Sequence, residues 1–306
     1  MSIGIGLGVG FPFSGAAAFL RWIDLCEERR VDSVWFSERL VSTQIALEPI
    51  AAFGVVAGRT QRLKFGMNAI VLPLRDPLVL AKECATLDFL SGGRLLPAFG
   101  VGSDLAPEFR ATGRNPEGRG RRADEALELL RRLWSEEHVT FEGKHYQYHD
   151  VTIAPRPVQQ PLPMWIGGSS DAAVRRTATL GTGWLGGIQS PAQVAPVIAK
   201  IRAATAEAGR TIDDDHYGAG FPFRFGSFDE PIVERNAKAL ARIGDGLKPR
   251  DYMGVGTAAD IAARIEEYIA AGVSKFVLRP IAESDSEVME QTQRLVEEVL
   301  PLFAGR

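Results

Sequence analysis

Short apolar segments alternate along the chain with longer segments whose apolar side chains recur at helical spacing. Eight apolar segments are predicted strands, and they are residues 3–9, 33–36, 63–72, 94–101, 164–167, 184–187, 217–225 and 275–279. Most are followed by a predicted helix, such as 120–135, in which Leu127, Leu130 and Trp134 share one face. Nearly continuous apolar strands that alternate with helices are typical of a parallel sheet covered on both faces.

Eight strand–helix units in a chain of 306 residues predict a closed (β/α)₈ barrel, the TIM-barrel fold, as one domain over residues 1–306. An open doubly wound sheet is the alternative, but GIGLGVG at 4–10 lacks the glycine spacing of a dinucleotide-binding loop. Insertions are expected at about 104–118, 138–160 and 226–256. We expect the first and last to be long loops and the middle one to contain a hairpin that turns at Glu142-Gly143.

Composition narrows the classes of function. The chain has 35 Lys and Arg against 38 Asp and Glu, a net charge of -3, which argues against a nucleic-acid or anionic-membrane partner. It has no signal-peptide pattern and no apolar run of membrane-spanning length, so we expect a cytoplasmic protein. Its two cysteines, Cys26 and Cys84, are predicted to be buried thiols. The four histidines do not have the spacing of metal ligands, and we expect no bound metal.

Residues that follow the carboxyl ends of barrel strands face the active site, whereas helix-to-strand turns face the opposite, stabilising end. Gly167, Gly168, Ser169 and Ser170 follow one strand and precede a helix, whose free N–H groups suit a phosphate. Other candidates at strand ends are Glu38 with Arg39, Asn68 with Ala69, and Gly102 with Ser103. The carboxylate and guanidinium of Glu38-Arg39 could position a proton or hold a polar ring edge.

Several stretches carry a family resemblance in combination. They are VDSVWFSERL at 31–40, NAIVLPLRDPLVLAKECATLDFLSGGRLLPAFGVGS at 68–103, RRADEALELLRRLW with VTFEGKHY within 121–146, and PLPMWIGGSSDAAVRRTATLGTGW at 161–184. With these stretches the chain resembles the bacterial luciferase-like family of flavin- and deazaflavin-dependent oxidoreductases. The fold of that family is a (β/α)₈ barrel, in agreement with the strand count.

The resemblance implies roles for individual residues. Asn68-Ala69 falls where the family has a non-proline cis peptide behind the flavin ring. Gly167 to Ser170 match the phosphate-binding turn, with Gly183 and Trp184 close by. Gly102 and Ser103 match residues beside the cofactor tail or the substrate. The segment from Leu90 to Arg94 falls at the stabilising end, and we expect it to be structural.

We therefore predict an oxidoreductase that transfers a hydride between the deazaflavin coenzyme F420 and a small organic substrate. An FMN-dependent monooxygenase that uses O₂ is the alternative, and a non-catalytic flavin-binding protein is the alternative of another class. Deazaflavin enzymes usually have Asp-His where this chain has Glu38-Arg39, and these two residues are our candidates for the acid–base role. Arg279, at the end of the eighth strand, is the candidate for holding an anionic substrate. The family also implies a homodimer.

A barrel lyase acting on a phosphorylated substrate is a further alternative. It would need a buried lysine at the carboxyl end of a strand, to form a Schiff base. Lys64 and Lys275 lie instead at predicted strand starts, which disfavours this chemistry.

Overall fold

A computed structural model describes residues 2–8, 13–103, 105–241 and 248–306. The strands of this part are β1 (Gly4–Gly8), β2 (Ser33–Phe36), β3 (Lys64–Met67), β4 (Ile70–Val71), β5 (Leu95–Leu96), β6 (Ala98–Gly100), β7 (Val139–Glu142), β8 (Gln147–Val151), β9 (Trp165–Gly167), β10 (Gly183–Leu185), β11 (Tyr217–Ala219), β12 (Pro222–Phe225), β13 (Gly254–Gly256) and β14 (Lys275–Pro280). The helices are α1 (Ala16–Glu28), α2 (Pro49–Arg59), α3 (Pro77–Ser91), α4 (Pro107–Ala111), α5 (Arg119–Ser135), α6 (Asp171–Thr179), α7 (Pro191–Glu207), α8 (Pro231–Ala241), α9 (Pro249–Tyr252), α10 (Ala258–Ala270) and α11 (Asp285–Arg294).

The parallel strands close into a barrel with eight strand positions. The third position consists of β3 and β4, and the fourth of β5 and β6. Because β5 pairs with β3 while β6 pairs with both β4 and β9, the two ends of the sheet meet. The order then runs through β10, β11, β14, β1 and β2 back to β3. The (β/α)₈ barrel predicted from the strand count is confirmed.

The predicted strand 217–225 is divided, which the apolar pattern did not reveal. β11 pairs with β10 and β14, whereas β12 pairs with β14 and β13. The break lies at Gly220, where an added Cβ would come within 2.2 Å of the Val277 carbonyl oxygen. The chain can change partners there because only glycine permits this close approach.

Two predicted loops contain regular structure. Residues 226–256 hold α8, α9 and β13, and residues 104–118 hold α4. The expectation of structureless loops was therefore wrong for both, although Asp104 and residues 242–247 lie outside the described residues. Buried Val233, Ala237 and Leu240 give α8 an apolar face with helical spacing. The hairpin of β7 and β8 lies outside the barrel sheet, as expected.

Large side chains fill part of the barrel interior. Trp35, Trp165, Leu185 and Val277 form a buried cluster there, and the two indole rings meet edge to face at 6.3 Å. Leu185 and Val277 also line a cavity at the carboxyl ends of the strands. Outside the strands, the helices bury the main core, which includes Cys26 and Cys84 as free thiols. None of the helices in the described part is long and apolar enough to cross a membrane.

Candidate active site

A cavity of about 590 Å³ opens at the carboxyl ends of the barrel strands. Seven of its lining residues are glycines, namely Gly100, Gly102, Gly167, Gly168, Gly186, Gly187 and Gly220. Because glycine has no side chain, a ligand can approach the backbone of this wall closely. The structure brings most of the candidate residues to this cavity, and they are Glu38, Arg39, Asn68, Ala69, Gly102, Ser103, Gly167, Gly168 and Arg279.

Small residues form the floor of the cavity around the break between β3 and β4. The peptide bond between Asn68 and Ala69 is cis, as the resemblance implied, and the Asn68 N–H donates to the Phe36 carbonyl at 2.8 Å. A Cβ added at Gly167 would lie 3.6 Å from the Ala69 Cβ, and one added at Gly100 would lie 3.8 Å from it. Three small residues from three strand positions therefore make a surface on which a planar ring can lie.

Glu38 is the most fully engaged polar side chain of the cavity wall. One carboxylate oxygen accepts a hydrogen bond from the Val71 N–H at 2.6 Å, and the other pairs with Arg75, whose Nε lies at 2.8 Å. The Glu38 side chain is only 1% exposed. Burial lowers the pKa of Arg75, but Glu38 and Glu48 together raise it above its ordinary value. This geometry anchors the segment that follows Asn68-Ala69 and engages both carboxylate oxygens of Glu38.

The turn after β9 has the geometry of a helix N-terminus with a capping serine. The Ser170 hydroxyl accepts from the Ala173 N–H at 3.3 Å, and the Ser169 hydroxyl donates to Gln189 Oε1 at 2.6 Å. Gly168 has a φ of 105°, which side-chain-bearing residues rarely adopt. Gly167 and Gly168 line the cavity, while Ser169 and Ser170 lie just behind them in the turn.

Two candidate residues support the wall rather than line it. The Trp184 side chain is fully buried in the core outside the barrel, where its Nε1–H donates to the Gly168 carbonyl at 2.7 Å. Gly183 lies against Trp165, since an added Cβ would be 2.7 Å from that ring. Sequence spacing could place both residues near the turn, but only the packing shows that they face away from the cavity.

Positive charge dominates the side of the cavity formed by β14 and the end of β2. Arg279 and Arg39 both line it, and in the described part of the chain neither forms an ion pair with a carboxylate. Burial lowers the pKa of Arg279, and the nearby charge of Arg39 lowers it further. Two neighbouring unpaired guanidiniums favour an anionic ligand.

Sequence analysis missed the loop after β10 as part of the site. Gly186, Gly187 and Ile188 line the cavity, together with Gly220 after β11. Their position in the sequence could have indicated this. Gly186 and Gly187 end a predicted strand, and the carboxyl ends of the strands form the mouth of a barrel. In the described residues, the one cluster with metal-ligand spacing is Asp213, Asp215 and His216, just before β11 and away from this mouth.

Comparison with known proteins finds chains of similar sequence. An uncharacterized protein of Mycobacterium tuberculosis is 36% identical over 162 residues, 53% of this chain and 54% of the relative. The chain thus spans about half the length of that curated relative. An F420-dependent glucose-6-phosphate dehydrogenase of Kineococcus radiotolerans is 27% identical over 90% of both chains.

The fold also matches a solved structure throughout. The monooxygenase RslO1 from Streptomyces bottropensis superimposes with a TM-score of 0.85 and 24% identity, over 99% of this chain and 100% of that one. The model of the family described as luciferase-like monooxygenase matches residues 8–243. This match covers more than half of the chain, and the protein therefore belongs to the luciferase-like monooxygenase family.

Proposed function

We propose that this protein is an oxidoreductase that transfers a hydride between coenzyme F420 and a small organic substrate. The observation that carries the proposal is the glycine-walled cavity, whose floor consists of the small residues Ala69, Gly100 and Gly167. A Cβ at either glycine would rise into the space that a ring needs. The similarity to an F420-dependent dehydrogenase along 90% of the chain supports the deazaflavin as the ring.

Individual residues would hold the cofactor by different means. Asn68 and Ala69 would support one face of the ring. The turn from Gly167 to Ser170 would receive a phosphate at the positive end of α6, with Trp184 and Gly183 fixing that turn from behind. Gly102 and Ser103 would border the cofactor tail. When bound, F420 supplies the carbon that exchanges a hydride, and the barrel contributes position and exclusion of water.

The two candidates for the acid–base role differ in what they can do. A guanidinium stays protonated at neutral pH, so Arg39 is suited to holding negative charge rather than accepting a proton. Glu38 can accept a proton in principle, but both its oxygens are engaged. We therefore propose that Glu38 positions the Asn68–Val71 segment, and that Arg39 and Arg279 contact the substrate.

The first test is the choice of cofactor. We expect micromolar binding of F420 and much weaker binding of FMN, followed separately by absorbance and fluorescence titration of the purified protein. Tight FMN binding with no F420 binding would favour the FMN-dependent monooxygenase. Binding of neither would refute the flavin-type assignment. Binding of F420 without reduction or reoxidation by any substrate would indicate a non-catalytic binding protein.

A second test distinguishes a positioning role of Glu38 from an acid–base role. We expect Glu38→Gln to lower the free energy of unfolding by about 2 kcal/mol, because it removes one partner from a buried ion pair while Arg75 keeps Glu48. Chemical denaturation measures this change. Glu48→Gln is the matched control, since Glu48 pairs with the same arginine but is 37% exposed, and its loss should cost less. An unchanged stability with a large loss of turnover would instead make Glu38 the proton carrier.

The remaining expectations concern the protein in solution. The homodimer implied by the family and the cytoplasmic location stay predictions. Size-exclusion chromatography with light scattering tests the first, and fractionation of the producing cells tests the second.

A further inference from the structure

Two further chambers lie beside the cavity over the barrel floor. A chamber of about 240 Å³ shares Arg39, Asn68 and Arg279 with it. A third chamber, of about 630 Å³, shares Arg279 and Asn236 with the second and lies against α8. Arg279 therefore lines all three.

The nearest carboxylates do not neutralise this junction. Glu38 is paired with Arg75, and Glu283, at the rim of the third chamber, is paired with Arg235 at 2.8 Å. Glu108 also lines the first cavity, but it belongs to α4, which follows the fourth strand position on the far side. Arg39 and Arg279 thus present two positive charges to the same space without a countercharge from the described residues.

Strand order separates these arginines from the turn proposed to hold the cofactor phosphate. That turn follows β9, the fifth strand position. Arg279 belongs to β14, the eighth position, and Arg39 follows β2, the second position, so the two arginines flank β1. In a closed barrel of eight strands the first and fifth positions are diametrically opposite. Two anions can therefore bind at once, one on each side of the barrel floor.

The third chamber has a different character from the junction. Its walls combine apolar Ile45, Ile232, Ile281 and Ala239 with polar Gln44 and Asn236 and with the paired Arg235 and Glu283. The apolar part of this wall gains free energy when an apolar ligand covers it. A molecule held by its charge at Arg279 could extend an apolar body into this space.

We propose that the substrate is an amphipathic organic acid, whose carboxylate binds Arg39 and Arg279 and whose apolar body occupies the chamber beside α8. This proposal rests on the proposed function, because it assigns the first cavity to the cofactor ring.

The test uses octanoate as the probe and neutral octanamide as its partner of equal chain length, both measured by isothermal titration calorimetry. We expect the wild-type protein to bind octanoate at least about tenfold more tightly than octanamide. Arg279→Gln and Arg39→Gln should each weaken octanoate binding by about tenfold and leave octanamide binding unchanged. Arg39 is exposed, so its replacement poses little risk to folding.

The matched control is Arg131→Gln, which removes an arginine paired with Glu128 on the exposed face of α5. It should change neither affinity. The proposal is overturned if the wild-type protein binds octanoate no better than octanamide, if it binds neither, or if Arg279→Gln binds octanoate as the wild type does.

A parallel F420 titration distinguishes failure of this proposal from failure of the proposed function. Arginine-dependent octanoate binding without F420 binding would leave an anion site but remove the oxidoreductase. F420 binding without preference for octanoate would leave the oxidoreductase and remove the acid site. If Arg279→Gln weakened F420 binding as much as octanoate binding, the arginines would belong to the cofactor site instead.

Discussion

Replacing Gly167 by valine is expected to weaken F420 binding by about 100-fold, equivalent to about 2.7 kcal/mol, while the barrel stays folded. A Cβ at this position has ordinary contacts, with the Phe99 carbonyl oxygen at 3.5 Å and the Ala69 Cβ at 3.6 Å. The two methyl groups of valine would extend beyond it into the cavity. They would occupy the floor on which the ring is proposed to lie, and overpacking of that contact opposes binding.

A graded pair of variants makes this prediction sharper. Gly167→Ala adds only the Cβ and should weaken binding less than valine does. The matched control is Gly54→Val in α2, an exposed position where an added Cβ meets nothing within 4 Å. It should leave F420 affinity unchanged, and valine is a better helix former than the glycine that it replaces. Wild-type affinity in Gly167→Val, with folding verified by circular dichroism, would show that the ring does not lie on this floor.

The position of the site could be predicted because it depends on strand order and little else. The carboxyl ends of all strands in a parallel barrel lie at the same mouth. Counting strands therefore places four residues together there, namely Asn68, Gly102, Gly167 and Arg279. Their agreement with the cavity lining follows from that geometry. The roles of these residues are a separate matter, and they stay predictions until the titrations are done.

What the sequence could not show depends on contacts between distant segments. The pairing of Glu38 with Arg75 joins residues 37 positions apart, and no local pattern predicts it. Trp184 follows the glycine that begins β10, yet its ring lies outside the barrel. The apolar face of α8 has helical spacing, but no predicted strand separates α8 from α10, so the alternation of strands and helices does not predict both helices. Local patterns carry no information about such partners.

Stability is expected to depend most on an arginine at the other end of the barrel. Arg94 lies just before β5, and its side chain makes five hydrogen bonds. Nε donates to the Ser91 carbonyl at 2.8 Å, while Nη1 and Nη2 reach the Thr60 hydroxyl and the carbonyls of Leu63, Ala57 and Thr60. The guanidinium thereby ties the end of α2 to the starts of β3 and β5. Burial lowers the pKa of Arg94, and no carboxylate in the described residues pairs with it.

We expect Arg94→Met to lower the free energy of unfolding by about 3–5 kcal/mol, because methionine fills much of the space but leaves buried oxygen acceptors without donors. Urea denaturation measures the change. Arg94→Lys is the informative control. Because an ammonium group has three N–H donors and a guanidinium has five, lysine can replace only some of these hydrogen bonds. The free energy of unfolding of Arg94→Lys should therefore lie between those of the wild type and Arg94→Met. F420 affinity of the folded fraction should be unchanged in both variants, because Arg94 lies at the end of the barrel opposite the cavity. A loss below about 1 kcal/mol in Arg94→Met would mean that water satisfies these carbonyls, and that the loop before β5 is held by packing alone.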